Sequence, residues 1–186
     1  MAFVAVYDAN VLYPSTLRDV LIRVAQAGLV QAKWTDRILD ETFRNLGRNR
    51  PDLDAKKLDR TRELMAGAVR DVLVKGYEPL IEVLDLPDPG DRHVLAAAIK
   101  AKAQVIVTAN LRDFPGDALA AWDVQAVHPD AFIEAQVDLA PQVVYGVLTR
   151  MADVWRTPPN AVVADVIDAL EREGLVASAA ALRARS

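Results

Sequence analysis

No cysteine occurs anywhere in the 186 residues, which removes disulfides, zinc–thiolate centres and thiol nucleophiles at once. Histidine is nearly absent too: His93 and His128 are too few for a histidine-built metal site. No apolar run approaches the roughly 18 residues that a membrane helix needs. No basic stretch leading into a long apolar core opens the sequence, so a secretory signal is not expected and the cytoplasm is the expected compartment. Glycine is missing from "DANVLYPS" at residues 8–15, where a dinucleotide-binding enzyme would need it. Excess positive charge is missing as well. The net charge of −4 weighs against a pure nucleic-acid binder, yet leaves room for an acidic site with a local basic rim.

What is present is a core and an alternation. At 52% hydrophobic, a chain of this length can bury a core without covalent staples. A strand over 3–7 precedes a helix over 16–30, where Leu17, Val20, Leu21, Val24 and Ala25 recur at helical spacing. "TDRILDETFRNLGRN" predicts a second helix capped by Thr35 or Asp36, and the period predicts a third over 54–75. "LIEVLDL" (80–86) reads as a short strand and "PDPGD" as a turn. "DRHVLAAAIKAKA" then reads as a helix, "QVIVTAN" as a strand, and a strand near 124–127 precedes a helix over 129–138. Strands alternating with helices imply a three-layer α/β/α unit with a mainly parallel sheet. From about 141 the alternation stops, and two or three amphipathic helices follow. The expected division is a sheet-bearing unit over 1–138 and a helical extension over 139–186.

The polar residues are placed with a pattern. Ligands of an open parallel sheet bind beyond the carboxyl ends of its strands. Asp8 lies just past the first strand, Asn110 and Asp113 just past "VIVTA", and Asp88 and Asp91 at the opening of a helix. Asp91 falls in line with Leu95 and Ala98 on the apolar face of that helix, while His93 points the other way. Glu41 flanks the stripe Ile38, Leu39, Thr42, Phe43 and Leu46. Each acid taken alone has an ordinary reading: a turn at Asp8 and Asn10, a helix-dipole partner at Asp91, a solvated edge at Glu41. Gathered on one edge, the carboxylates would repel one another unless a cation stood between them. All-oxygen ligands suit Mg²⁺, with Mn²⁺ able to substitute, and the chemistry implied is phosphodiester hydrolysis by metal-activated water.

"VYDANVLYPS", "LDETFRNL", "LPDPGDRHVLAAAIKAKA" and "VIVTANLRDFP", in this order over residues 3–135, resemble the motifs of PIN-domain ribonucleases, most closely the VapC-like toxins of toxin–antitoxin pairs. The resemblance implies a metal-dependent endoribonuclease that cuts single-stranded or loop regions of tRNA, rRNA or mRNA. Asp8, Glu41 and Asp91 match the family's three principal acidic positions. A fourth is filled differently: where some members have an aspartate, this chain has Asn110, with Asp113 three residues on. The matched positions make Asp8, Glu41, Asp91 and Asp113 catalytic, the first three metal-ligating, with Asn10, Thr108 and Asn110 in support. Such toxins are generally homodimers held inactive by a small antitoxin. The helices beyond 141 exceed a minimal PIN domain.

RNA needs cations for its phosphates and flat groups for its bases. Arg44, Arg48, Arg50, Arg112 and Tyr13 are the candidate contacts, with Arg18 and Arg92 also close in sequence to the acids; each alone also reads as an ordinary surface charge or packed ring. Two rivals share the sheet chemistry. A haloacid-dehalogenase-like phosphatase wants a second aspartate two residues after the first, where this chain has Asn10. A nuclease acting on DNA has the same metal chemistry. A rival from another class is a non-catalytic RNA-binding or regulatory module, which would be expected to have lost acidic ligands that are kept here.

Overall fold

The tetrapeptide Val4-Ala-Val-Tyr7 is buried almost end to end, as a strand covered on both faces must be, and forms β1 (Val4–Tyr7). Residues 3–185 are described by a computed structural model; Met1, Ala2 and Ser186, the outer ends of the two expected segments, lie outside them. After β1 come α1 (Ala9–Leu12), α2 (Ser15–Gln26), β2 (Gln31–Lys33), α3 (Asp36–Asn49), α4 (Ala55–Ala68), α5 (Glu78–Ile81) and α6 (Arg92–Ala101). Then follow β3 (Val105–Val107), α7 (Gly116–Ala120), β4 (Gln125–Val127), α8 (Pro129–Leu139), α9 (Pro141–Val154), α10 (Val163–Arg172) and α11 (Val176–Arg183).

The four strands pair in the order β2-β1-β3-β4, all parallel, with helices flanking the sheet. The expected three-layer α/β/α architecture holds, and the sheet is wholly rather than mainly parallel. The chain leaves β1 towards β2 on one side, then crosses back to β3 on the other. The carboxyl ends of β1 and β3 therefore flank a switch point, where a crevice opens because the connections leave in opposite directions. Asp8 and Thr108 stand at those two ends.

Helix α2 buries Leu17, Val20, Leu21, Val24 and Ala25, the stripe its sequence spacing predicts. Thr35 is the cap of α3: its side chain accepts from the Ile38 amide at 3.0 Å. The expected third helix ends early, at Ala68 rather than 75. Beyond it Val72 and Val74 are buried while Asp71 and Lys75 are exposed, the period of a strand. That segment pairs with the sheet edge through Trp34, whose amide donates to Val72 and whose carbonyl accepts from Val74, at 3.0 and 2.9 Å. β-branched residues at alternate positions outweighed a helical period there. The expected strand over 80–86 is the converse error. Pro79 opens the single turn of α5, and Leu84 and Leu86 bury their side chains without pairing to a strand.

The last helices are packed onto the body. Helix α9 buries Val144, Val147, Leu148 and Met151, and α10 buries Val166, Ile167 and Leu170; both lie against α2 in a hydrophobic cluster continuous with the sheet. Two carboxylates tie the arrangement. Glu173 accepts from the amides of Thr16 and Leu17 at 3.1 and 2.7 Å, serving the first turn of α2, whose own cap position is Pro14. Asp130 of α8 accepts from the Ala177 and Ser178 amides at 2.9 and 2.8 Å and from the Ser178 hydroxyl at 2.6 Å, serving the first turn of α11. Burial alone would raise the Asp130 carboxyl; the Ser178 hydroxyl and the two amides outweigh it and hold it below its ordinary value. Among the described residues no helix is long and apolar enough to cross a membrane.

Candidate active site

Where β1 ends, the backbone at Asp8 is still extended while Ala9 begins α1, so the Asp8 carboxylate can turn back on the first amide of the helix. Oδ1 accepts from Ala9 N at 2.7 Å. Oδ2 accepts from the Thr108 hydroxyl at 2.8 Å and from Asn10 Nδ2 at 2.9 Å. Asn10 Nδ2 also reaches Thr108 Oγ1 at 3.0 Å, and Asn10 Oδ1 accepts from Ala109 N at 2.9 Å. The three side chains form a closed network across the switch point, between the ends of β1 and β3. Asp8 is only 5% exposed. Burial raises its pKa, the hydrogen bonds from Thr108 and Ala9 oppose that, and the charge of Glu41 adds to the rise.

Asp91 closes a 3-10 turn over Pro89–Asp91, at the entry to α6. Asp88 caps that turn, accepting from Gly90 N at 2.7 Å. Asp113 ends a second 3-10 turn, Leu111–Asp113, just beyond β3, where the Asn110 side chain donates to its Oδ2. Carboxylate oxygens of Asp88, Asp91 and Asp113 all lie within 4.8 Å of one another. Asp91 is pushed up to about 7, first by burial, then by the charges of Asp8, Asp88, Asp113 and Glu41. Five acids from four parts of the chain thus bear on one point. Such a set carries a proton it would not otherwise hold, or a cation. A hard divalent ion fits the donors, which are all carboxylate oxygens.

Glu41 reaches the group from α3, half-buried, with Arg37 at 3.9 Å on its outer side. On the inner side stands His93: Nε2 is 3.0 Å from Glu41 Oε1. His93, expected on the side of the helix opposite Asp91, nevertheless lies against a site carboxylate. Its angular position opposite Asp91 is as the helical period requires, but α6 is buried on nearly every side, from His93 through Ala98. The side opposite Asp91 is therefore interior. The run "VLAAAI" is the signal of such a helix, small and apolar all round. Asp88 is the other residue whose part was not resolved by sequence; its turn role and its place beside Asp91 both hold.

Of the expected site residues, Asp91 and Asp113 come within 4.8 Å of each other and of Asp88, a group that does not include Asp8 or Glu41. Asp8 is tied to Asn10 and Thr108 and Asp113 to Asn110 by hydrogen bonds, and the charges of Asp8 and Glu41 bear on Asp91. The candidate RNA contacts are more scattered. Arg44, Arg48 and Arg112 are exposed. Arg50 is gripped by Asp52 through two hydrogen bonds of 2.9 and 2.7 Å, and Tyr13 Oη accepts from Asn49 at 3.3 Å. Arg18 donates to the Leu12 and Tyr13 carbonyls at 2.8 and 3.1 Å, and Arg92 lies 3.3 Å from Asp85. Beside α1, α3 and α4 lies an open groove of about 470 Å³, lined by Tyr13, Arg18, Phe43, Arg50, Lys57 and Glu173 among others.

The family model described as PIN domain matches residues 4–112, and one described as VapC50 C-terminal domain matches residues 129–184. Over 84 residues the chain is 44% identical to "Putative ribonuclease VapC50" of Mycobacterium tuberculosis (strain H37Rv), covering 45% of this chain and 49% of that protein. The match thus spans about half the length of that curated relative. No solved structure matches.

Proposed function

We propose, from the premise that this chain belongs to the PIN-domain family, that it is a metal-dependent endoribonuclease and the toxin of a toxin–antitoxin pair. The observation that carries the reading is the crowding of four other carboxylates around Asp91. The named relative is called a ribonuclease, which makes RNA the favoured substrate. Asp8, Glu41 and Asp91 are assigned as ligands of Mg²⁺ or Mn²⁺, with Asp113 completing the catalytic set. When bound, the cation polarises the phosphodiester and eases deprotonation of the attacking water. Asn10 and Thr108 hold the Asp8 carboxylate in one orientation, through the 2.9 and 2.8 Å contacts to Oδ2. Asn110 does the same for Asp113. The acids repel an incoming phosphate while the cation site is empty, so loading the site and binding RNA are coupled. Arg44, Arg48 and Arg112 are exposed and available to phosphates, with Tyr13 as a stacking platform. Arg50 takes part only if RNA displaces Asp52.

The nuclease unit is taken as 1–138, braced on α2 by the extension over 139–186. A small antitoxin, a homodimer and a cytoplasmic setting belong to the same reading. Labelled single-stranded RNA incubated with the chain in Mn²⁺ or Mg²⁺ tests it, beside Asp8→Asn and an EDTA control. Cutting that needs the metal and vanishes in Asp8→Asn is expected. Cutting of DNA in preference to RNA would replace the substrate. Metal binding without cutting of any RNA offered, tRNA and rRNA included, would favour a non-catalytic RNA-binding module.

A further inference from the structure

We infer that His93 is a positioning residue for Glu41: the buried imidazole holds the Glu41 carboxylate from beneath, in the place where a cation needs it. This rests on the reading of Glu41 as a ligand. His93 is fully buried, with 0% of its surface exposed, and neither ring nitrogen makes a hydrogen bond. Its Nε2 nevertheless stands 3.0 Å from Glu41 Oε1. A leucine or methionine would fill that space without placing an orphaned polar ring in the core, so packing alone does not account for the histidine. Its surroundings point the same way. Val94 to Ala98, which follow it, are apolar and fully buried, and the polar group it stands against is the Glu41 carboxylate.

Glu41 otherwise lacks a rigid partner. Its other neighbour, Arg37, is 3.9 Å away, nearly half exposed and one helical turn back on α3, a loose restraint in water. Asp8 has three hydrogen bonds to fix it and Asp113 has Asn110. Glu41 has His93. The contact is close but out of line for a hydrogen bond; a rotation of the carboxylate that brought Oε1 into line with an Nε2 proton would fix it in place. Contacts that orient ligands in this way typically contribute about 10–100-fold to metal affinity.

The test is Mn²⁺ affinity of the intact chain, followed by electron paramagnetic resonance, with the melting temperature as a check on folding. Four variants are compared: His93→Leu, His93→Gln, Glu41→Gln and the double variant His93→Leu/Glu41→Gln. His93→Leu keeps the volume and removes the donor, and should stay folded while binding Mn²⁺ about 10–100-fold more weakly. His93→Gln places an amide nitrogen close to the Nε2 position and should restore most of that loss, which a merely structural role would not require. The double variant should bind no more weakly than Glu41→Gln, because the histidine acts through the glutamate. Native-like affinity in a folded His93→Leu, with Glu41→Gln weakened, would overturn the role of His93 and leave Glu41 a ligand. Native-like affinity in Glu41→Gln would overturn the ligand assignment, and the inference with it. Absence of Mn²⁺ binding by the native chain would overturn both. If His93→Leu fails to fold, His93→Met takes its place: weaker Mn²⁺ binding in the folded variant supports the role and native affinity overturns it.

Discussion

The sheet edge and the helical extension use the same side chains to opposite ends. At the edge, Asp88, Asp91 and Asp113 crowd within 4.8 Å, and Asp91 is driven up to about 7. In the last helices several acids each meet a donor: Glu173 the α2 amides, Asp130 the α11 amides and Ser178, Asp168 and Glu171 the Arg183 guanidinium, Asp138 that of Arg185. One region sets charge against like charge and is stable despite it; the other uses each charge to fasten a helix end. The lesson is that a carboxylate's meaning lies in what faces it. Function is to be sought where acids face acids.

Asp91→Asn should break the comparison most sharply. Metal-dependent cleavage should fall by about 10²-fold or more, as for loss of a group that orders a metal site. At the same time the metal-free chain should gain roughly 1 kcal/mol, the repulsion being discounted for the exposure of Asp91 to solvent. Gel-based cleavage and thermal unfolding in EDTA read the two effects. A variant that lost activity and stability together would mean that Asp91 is a fastening residue like those of the extension.

Glu173→Ala should do the reverse. Removing the acceptor of the Thr16 and Leu17 amides should cost about 1–2 kcal/mol. That is a fall of about 2–8 °C in Tm for a chain of this size, with cleavage at 25 °C unchanged once Mn²⁺ is saturating. Asp130→Ala should behave alike, through the first turn of α11. A Glu173→Ala chain that melted normally would show that the extension is not fastened to α2 at this point.

Acidity should pull the two regions in opposite directions. Asp91 holds a proton in the folded chain up to about 7 that the unfolded chain releases near 3.8. Without metal, stability therefore falls as pH rises between those values, with Asp8 acting in the same sense. Asp130 is depressed, so its contribution is complete above its unfolded value and is lost as pH falls through the folded one. Thermal unfolding of the chain in EDTA from pH 3 to 8 should show the first slope, and Asp91→Asn should flatten it. Asp130→Asn should instead flatten the loss at the acid end. An Asp91→Asn profile parallel to that of the native chain would contradict the repulsion at the edge.

Much of this contrast was legible in the sequence, because the site is built from local rules. Asp8, Asp91 and Asp113 follow strand ends or open a helix, and strand ends of a parallel sheet converge. The α2 stripe was legible for the same reason: five apolar residues at helical spacing bury a single face. What was missed depends on neighbours distant in sequence. Val72 and Val74 leave the helical period because Trp34 offers an edge to pair with. Leu80 to Leu86 form a short, mostly apolar run bounded by a turn, the pattern of a buried strand, yet pair with no strand among the described residues. His93 was placed correctly by angle and wrongly by environment, since a helical period says which residues share a face, not whether the opposite face is wet. The two fastenings by Glu173 and Asp130 join residues 157 and 48 positions apart, and no spacing rule reaches that far.

The smallest expected effect marks the limit of the comparison. Arg183 pairs with Asp168 and Glu171 at 2.7 Å each, and its pKa is raised by both. The pairs link α11 to α10, so they look like a third fastening. They differ from the others in what they serve: Glu173 and Asp130 accept from backbone amides left over at helix ends, whereas Arg183 meets carboxylates that water would solvate as well. Arg183→Ala should therefore lower Tm by less than Glu173→Ala does. The deficit should shrink further in 0.5 M NaCl, where exposed pairs are screened, while the Glu173→Ala deficit, which rests on orphaned amides, should persist. A salt-resistant loss in Arg183→Ala as large as that of Glu173→Ala would mean that surface ion pairs hold this extension together, and that helix-end capping does not distinguish it from the acidic edge.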